Sequence, residues 1–432
     1  MLIKLIREVK NRGLFVNVLL ATVVICSWCG YAVGQPGAEV KATDNAEQFA
    51  LLCRIYNVAK NPPIHHVDLQ DPLKIVKEID VINASLVDPK WLNETDQVEN
   101  SSGVQLQPTT TREAAVAQAL IRRITKKAHN ILEEIGNVNT TRDIEKVKSE
   151  FDQVIFGEAG SKVGLCHGAL KGVGERGNAC GISGLQKKGQ SAGKNLVVDF
   201  FCLCAQRNNE GIQDSCKVKV GSKSDEHSWG SGAPSGSSSM WASIKKECGN
   251  LLHQNPKSTK EGHEVLADFF KHLKSGGLHR WGNTKSILGS GRKAGMLGTS
   301  AGTEQEKGGD ILCDGSKGYA QRNSGKPPGG ICVFYGEESE WDNIDWVNKF
   351  KNALATLKST NNKTATIQRD IQKLQMLLHR AEQIYETAKV ITEIQNPVVP
   401  TNLQTASKRL TAYNAAKRHN PYAHFILLFV LL

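Results

Sequence analysis

A serine framed by glycines stands at Gly189-Gln-Ser191-Ala-Gly193, the spacing of a nucleophile elbow. That device needs a strand before the serine and a helix after it. Here a Gly/Lys loop precedes, and an apolar run of strand character, Asn195–Ala205 (NLVVDFFCLCA), follows. The order is inverted, so Ser191 reads as a loop serine. The same stretch continues into Gly193-Lys194-Asn195, close to a phosphate loop. A true one requires a glycine where Lys188 stands and a hydroxyl where Asn195 stands. His263-Glu264 opens like a zinc-protease helix, but Ala267 occupies the place of the second histidine. His65-His66 follow Pro62-Pro63-Ile64 in a predicted loop, and adjacent histidines converge poorly on one ion. Glu133-Glu134 lie beside an apolar stripe as a solvated face. None of these sets meets the requirements of a catalytic constellation. The expectation is a non-enzyme with no catalytic residue, no metal ligand, no cofactor and no small-molecule substrate.

Cysteine is the other reactive type. Of eleven, Cys26 and Cys29 fall in an N-terminal leader, which leaves Cys53, Cys166, Cys180, Cys202, Cys204, Cys216, Cys248, Cys313 and Cys332. In an oxidising compartment these read as disulfide formers. Zinc is the rival, but Cys202-Leu-Cys204 lacks a two-residue gap and no second pair accompanies it. Nine is odd. One thiol is free, or pairs between chains, or the leader is cleaved elsewhere; spacing does not yield the connectivity. Asn-x-Ser/Thr acceptors for N-glycans occur at Asn83, Asn93, Asn100, Asn139 and Asn362. Three crowd into 83–103, a polar stretch read as an exposed loop, and Asn139 and Asn362 fall where helical patterns are interrupted.

The elements that would carry these residues are mostly helical. Phe49, Leu52, Cys53 and Tyr56 are helically spaced within 43–58. Val116, Leu120, Ile124, Ala128, Ile131 and Ile135 form a longer stripe, punctuated by Gly136 and Asn139 and resumed at Ile144, Val147, Phe151 and Val154. Between 157 and 335 the chain becomes glycine-rich and holds eight of the nine retained cysteines. Its only strand-like run is 195–205. Short helical patterns follow at Trp241–Leu251 and Val265–Leu273, the first after a Ser/Gly loop at 228–239. This half is expected to be a loop-rich lobe that bridges hold together, because its apolar content is thin. From Trp341 helix returns through Ile344, Val347, Leu354 and Leu357, with a break predicted at Ser359–Asn362. Then Ile367, Ile371, Leu374, Leu378, Ala381, Tyr385 and Ala388 step 4-3-4-3-4-3, a seven-residue repeat that must pack along another long helix. Pro397 and Pro400 end it. Helices of 30–50 residues would make a rod of roughly 45–75 Å.

Both ends carry targeting patterns. Lys4, Arg7, Lys10 and Arg12 precede the apolar run Leu14–Trp28 and the small-residue exit Ala32-Val33-Gly34, which predicts a secretory signal over 1–34. A transmembrane anchor is the alternative, but the run is short of roughly 20 apolar residues. At the other end, small residues Asn414-Ala415-Ala416, a polar spacer at 417–424 and an apolar octet from Phe425 to Leu432 predict a glycolipid attachment signal. Asn414 is the expected attachment residue, with 415–432 removed and 397–414 a short linker. The rival is a frayed apolar terminus. The formal charge of +11 falls to about +6 once both ends are removed, too modest and dispersed to argue for nucleic acid.

Three segments carry a likeness: Lys194–Cys204 (KNLVVDFFCLC), Gly329–Tyr335 (GGICVFY), and the helix start Trp341…Trp346-Val347…Phe350. With the signal, the bracketing helices and the tail, the chain over about 35–395 resembles the variant surface glycoproteins of African trypanosomes, B-type N-terminal domain. The resemblance implies a mainly α fold: an elongated antiparallel long-helix coiled bundle with a disulfide-stapled, loop-rich lobe containing little β structure. Helices at about 112–155 and 341–395 would bracket a lobe at 157–335, within a domain over 35–396. It also implies a homodimer, anchored in the outer leaflet of the plasma membrane, in a dense coat met by host antibodies and exchanged antigenically. The part after Pro397 is short and free of cysteines, unlike members with a cysteine-rich C-terminal domain. A nutrient receptor on the same scaffold, similar to a transferrin receptor, is the competing function; a secreted hydrolase would rest on Ser191 alone.

Overall fold

The structure is a computed structural model that describes residues 38–86, 112–138, 140–161, 164–182, 185, 187–282, 289–302, 311–318 and 329–395. The expected signal, Asn93, Asn100, Asn139, the linker, Asn414 and the tail lie outside the described residues. In chain order the elements are α1 (Ala46–Lys60), α2 (Gln70–Ser85), α3 (Arg112–Gly136), α4 (Thr140–Phe156), the single turn α5 (Arg176–Cys180), α6 (Leu196–Cys204), α7 (Ser237–Leu251) and α8 (Thr259–Ser275). Strands β1 (Gly277–Trp281), β2 (Gly289–Lys293), β3 (Met296–Gly302) and β4 (Gly329–Phe334) follow, then a 3-10 turn (Glu338–Asn343) and α9 (Asp345–Gln395). The chain divides into two compact units, Met1–Ile64 with Thr140–Asn362, and His65–Asn139 with Lys363–Leu432.

The first unit holds the larger core. Phe49, Phe151, Phe200, Phe201, Phe269, Phe350, Trp229, Trp346 and Tyr335 are all fully buried. Phe269 packs edge-on against Trp346 at 4.7 Å and Tyr335 at 5.5 Å, and Phe151 meets Phe350 at 5.8 Å. The expectation of a thin apolar lobe is therefore corrected. The lobe shares one core with α1, α4 and the start of α9, and counting its own residues alone understates that core.

The run 195–205 is helix α6, not a strand. All nine of its residues are buried, so no wet face imposes a helical period on the sequence. Asn195 starts it, accepting the Val198 N–H at 3.0 Å while its Nδ2 donates to the Ala169 carbonyl at 2.9 Å. The β structure lies further on, in a sheet of order β2-β1-β3-β4. Strand β1 pairs antiparallel with β2 and parallel with β3, and β3 pairs antiparallel with β4. Helix α6 seats against this sheet at Gly298, whose φ is +95°. A Cβ there would come within 2.4 Å of the Ile331 carbonyl and 2.8 Å of Leu203 Cδ2.

In the second unit α2, α3 and the later part of α9 pack by aliphatic side chains. Ile75, Val76 and Ile79 share a cluster with Ile124, Ala128, Ile131, Ile135, Ile367, Ile371, Leu374 and Ala381. Leu86, Ala117, Ile121 and Ala388 form another. Early α3 thus meets late α9 and late α3 meets earlier α9, so the two run antiparallel. The seven-residue stripe of α9 faces this core, with Leu378 and Tyr385 half-buried.

Two details of the helices differ from expectation. Val116 and Leu120 are 55% and 43% exposed, and the buried seam of early α3 is Ala114, Ala117 and Ile121. The larger side chains sit about 100° off the seam that alanines fill. Helix α9 also runs unbroken through Ser359–Asn362. Thr360 and Thr364 are buried and step 3-4-3 between Leu357 and Ile367, so threonines hold the register in place of apolar residues. Among the described residues no helix is long and apolar enough to cross a membrane.

Candidate functional site

Helix α6 is held by a charge near each end. Asp199, the one charge in Leu196–Cys204, is fully buried. Its Oδ1 accepts the Gly193 N–H at 2.8 Å, and its Oδ2 accepts the Tyr335 hydroxyl at 2.8 Å and the Trp346 indole N–H at 2.7 Å. Burial pushes its carboxyl up to about 6, against the pull of those three donors and of Lys188. Burial, then the charge of Asp199, raises the Tyr335 hydroxyl well above its ordinary value. Gly193 has φ +75°, and a Cβ there would lie 2.6 Å from Ile344 Cγ2. One carboxylate thus joins the 189–194 loop, α6, the chain after β4 and the start of α9.

Arg176, also fully buried, closes the other end. Its Nη2 donates to the Cys202 carbonyl at 2.8 Å, and its Nη1 donates to the carbonyls of Ala205 and Trp229. The last carbonyls of a helix lack intrahelical donors and carry partial negative charge, so a cation suits them. Its Cζ also lies 5.5 Å from the centre of the Trp229 ring. Burial lowers its pKa to about 9; Asp314 opposes that shift and Arg207 adds to it. Asp199 and Arg176 escaped the sequence reading. A lone acid in an apolar nonapeptide is a usable signal for the first. Nothing local marks Arg176.

The nine cysteines resolve into four bridges and one thiol. Cys53–Cys248 joins α1 to α7, Cys180–Cys202 joins α5 to α6, Cys204–Cys216 ties the end of α6 to the next loop, and Cys313–Cys332 ties the chain before β4 to that strand. Cys166 is free and exposed, with its Sγ 3.5 Å from Ser237 Oγ. Asn83 lies in helix α2, half-buried, and not in a loop. Asn362 is exposed but sits on α9 and not in a turn. Both corrections follow from helices extending through polar residues whose neighbours keep the seam.

Ser191 is 7% exposed, and a helix rather than a strand follows it, correcting the order assumed for the serine motif. Upstream, the described residues show only an isolated bridge between Gly181 and Lys188. His65, His66, His263 and Glu264 are exposed and dispersed. Among the described residues no three His, Cys, Asp or Glu side chains are grouped to hold a metal.

Two of the concave surfaces among the described residues bear on function. In the first unit α1, α4 and α7 wall a cleft of about 1180 Å³ whose lining includes Tyr56, Phe156, Trp241, Lys60, Lys148 and Lys245. In the second unit Val116, Ala117, Leu120, Ile384, Ala388 and Ile391 line an apolar groove of about 460 Å³. Neither Asp199 nor Arg176 lines either surface. Both charges act as internal ties.

These features define a class: a mainly helical protein with antiparallel long helices, a disulfide-clasped lobe and its polar chemistry turned inward. Residues 30–113 and 97–376 match the family model described as the trypanosomal VSG domain, and the chain belongs to that family. It is also similar to the "Variant surface glycoprotein YnAT 1.3" of Trypanosoma congolense, at 26% identity over 255 residues. That alignment covers 56% of this chain and 53% of the relative, so the chain spans about half the length of the curated relative it matches.

Proposed function

We propose that the chain is a glycolipid-anchored coat glycoprotein on the outer leaflet of the plasma membrane, packed densely enough to shield the cell. Its mechanism is steric. The fold supplies a stiff body, and antigenic exchange of the outward residues evades host antibodies. The observation that carries this reading is membership of the trypanosomal VSG domain family over most of the chain. Physics makes the reading coherent. The ties of the first unit are internal bridges and buried charges, so exposed residues are free to change without loss of the core.

The protein acts as a homodimer in this reading. Leu73, Val81, Val116, Leu120, Met376, Val390 and Ile394 are exposed and apolar, and all belong to the second unit. Such surface is a liability on a solitary molecule and an asset when a second copy covers it. Replacing Val116 and Leu120 with Lys should shift the sedimentation of the purified protein from dimer to monomer. An unchanged dimer would place the contact elsewhere.

Phospholipase C treatment of intact cells tests the whole reading. A coat protein is released as a soluble glycoprotein in the amounts of a major surface component. Failure of release rejects the anchor. Release of a scarce species that binds one host protein saturably would instead identify a nutrient receptor.

A further inference from the structure

The cleft of the first unit has no role in the coat reading, yet its composition is specific. Tyr56 from α1 and Phe156 from α4 are half-buried in it, and each stands nearly perpendicular to Trp241 of α7, at 5.6 Å and 6.1 Å. They are held rings with exposed area left over. The Trp241 indole N–H is buried and has no acceptor among the described residues. A buried donor without a partner carries a desolvation cost that a bound acceptor would relieve.

The charges divide two ways. Lys60, Lys148 and Lys245 come from three different helices to one cleft, and among the described residues none of them is in an ion pair. Glu145 and Asp152 line the same cleft, and Asp152 Oδ2 accepts the Ser161 N–H at 2.6 Å. Three free cations call for an anionic group. Two carboxylates would repel a bare polyanion, but they accept hydrogen bonds from hydroxyls. The ligand must therefore offer an apolar face to the rings, an acid to the lysines and several hydroxyls to the carboxylates. A run of Asp and Glu lacks the hydroxyls, and a neutral sugar lacks the charge. We propose that this cleft binds an acidic oligosaccharide, its ring faces on Tyr56 and Phe156 and its carboxylate or sulfate groups among the three lysines.

The test is calorimetric titration of the intact purified glycoprotein at physiological salt, separate from the phospholipase experiment that decides the coat reading. The probes are a sialylated trisaccharide, a sulfated hexasaccharide and their uncharged parents. At least one acidic probe should bind saturably at one per chain and at least tenfold more tightly than its parent; which one binds names the source of the acid. The triple substitution Lys60→Ala, Lys148→Ala and Lys245→Ala alters exposed side chains and should leave melting unchanged. It should weaken binding roughly tenfold or more, since each exposed charge contact is modest by itself. A control variant removes Arg122, Arg123, Lys126 and Lys127, exposed on α3, and should bind as the parent does. No saturable binding up to millimolar probe, equal binding of the neutral parents, or an equal loss in the α3 variant would each overturn the proposal.

Discussion

The two units solve the same problem, fixing a chain in one conformation, by different means. In the second, side chains three and four residues apart on α2, α3 and α9 interlock, and its clusters consist of Ile, Leu, Val and Ala. Among the described residues it has no disulfide. The first joins segments far apart in sequence. Cys53–Cys248 spans 195 residues, Asn45 Nδ2 donates to both the Leu203 and Ile331 carbonyls, and Arg280 pairs with Asp44. Long helices in register need little beyond burial. Short helices, loops and a glycine-rich sheet carry a larger loop-closure cost, and crosslinks and buried polar ties are the means to meet it.

The sharpest way to break that contrast is to open the longest loop. Replacing Cys53 and Cys248 together with serine should destabilise the first unit by about 5 kcal/mol in the chain-entropy account. Near-ultraviolet circular dichroism, dominated by the buried Trp and Tyr of that unit, should melt at a much lower temperature. Hydrogen exchange along 124–135 and 367–381 should not change. Equal acceleration there would mean that the second unit depends on the same staple. Conversely, Leu374→Ala empties a fully buried position of the second unit and should cost about 3 kcal/mol. Exchange should accelerate in α2, α3 and late α9 and hold steady in α6 and the sheet.

The same contrast governs what the sequence reveals. Helices α3 and α9 were legible because one wet face and one dry face imprint a period on the residues, and the break after Gly136 separates α3 from α4. Helix α6 was not legible, since burial on all sides leaves a run that fits a strand equally well. Strands β3 and β4 are buried at every position and rich in glycine, so alternation never appears. Thr360 and Thr364 conceal a continuous helix because polar side chains occupy buried register positions there. The bridges were foreseen as a set but not as pairs, and the cleft not at all: its three walls are distant in sequence and meet only in the fold.

Asp199 offers a smaller and more selective test of how the first unit is tied. Burial pushes its carboxyl in the folded protein up to about 6, from an ordinary value of 3.8. Between those values the folded protein holds a proton that the unfolded chain has released, so this group makes stability rise as pH falls from 7 toward 4.5. The gain is about 2 kcal/mol. Asp199→Asn cannot titrate. It also places an amide opposite the Trp346 N–H, so some stability is lost at every pH. The reading is the difference between the two proteins in melting temperature against pH: the parent gains relative to the variant below pH 6. Parallel profiles would show that Asp199 stays charged throughout and that its three donors outweigh burial.

The smallest expected effect is none, and it bears on the second unit. Asn83 begins an acceptor triplet, but it lies within α2. Its Oδ1 is buried, and Ser85, the hydroxyl residue of the triplet, is buried too, with its Oγ–H donated to the Ile82 carbonyl at 2.7 Å. The acceptor triplet needs its hydroxyl as well as its amide within reach, and in the folded helix the Ser85 hydroxyl is buried and engaged. Asn362 presents an exposed side chain on α9. Asn83→Gln should therefore leave electrophoretic mobility unchanged before and after enzymatic deglycosylation, and peptide mass mapping should find Asn83 unmodified. An occupied Asn83 would mean that the end of α2 opens in the mature protein, and that the second unit is less completely held by its aliphatic seam than its burial implies.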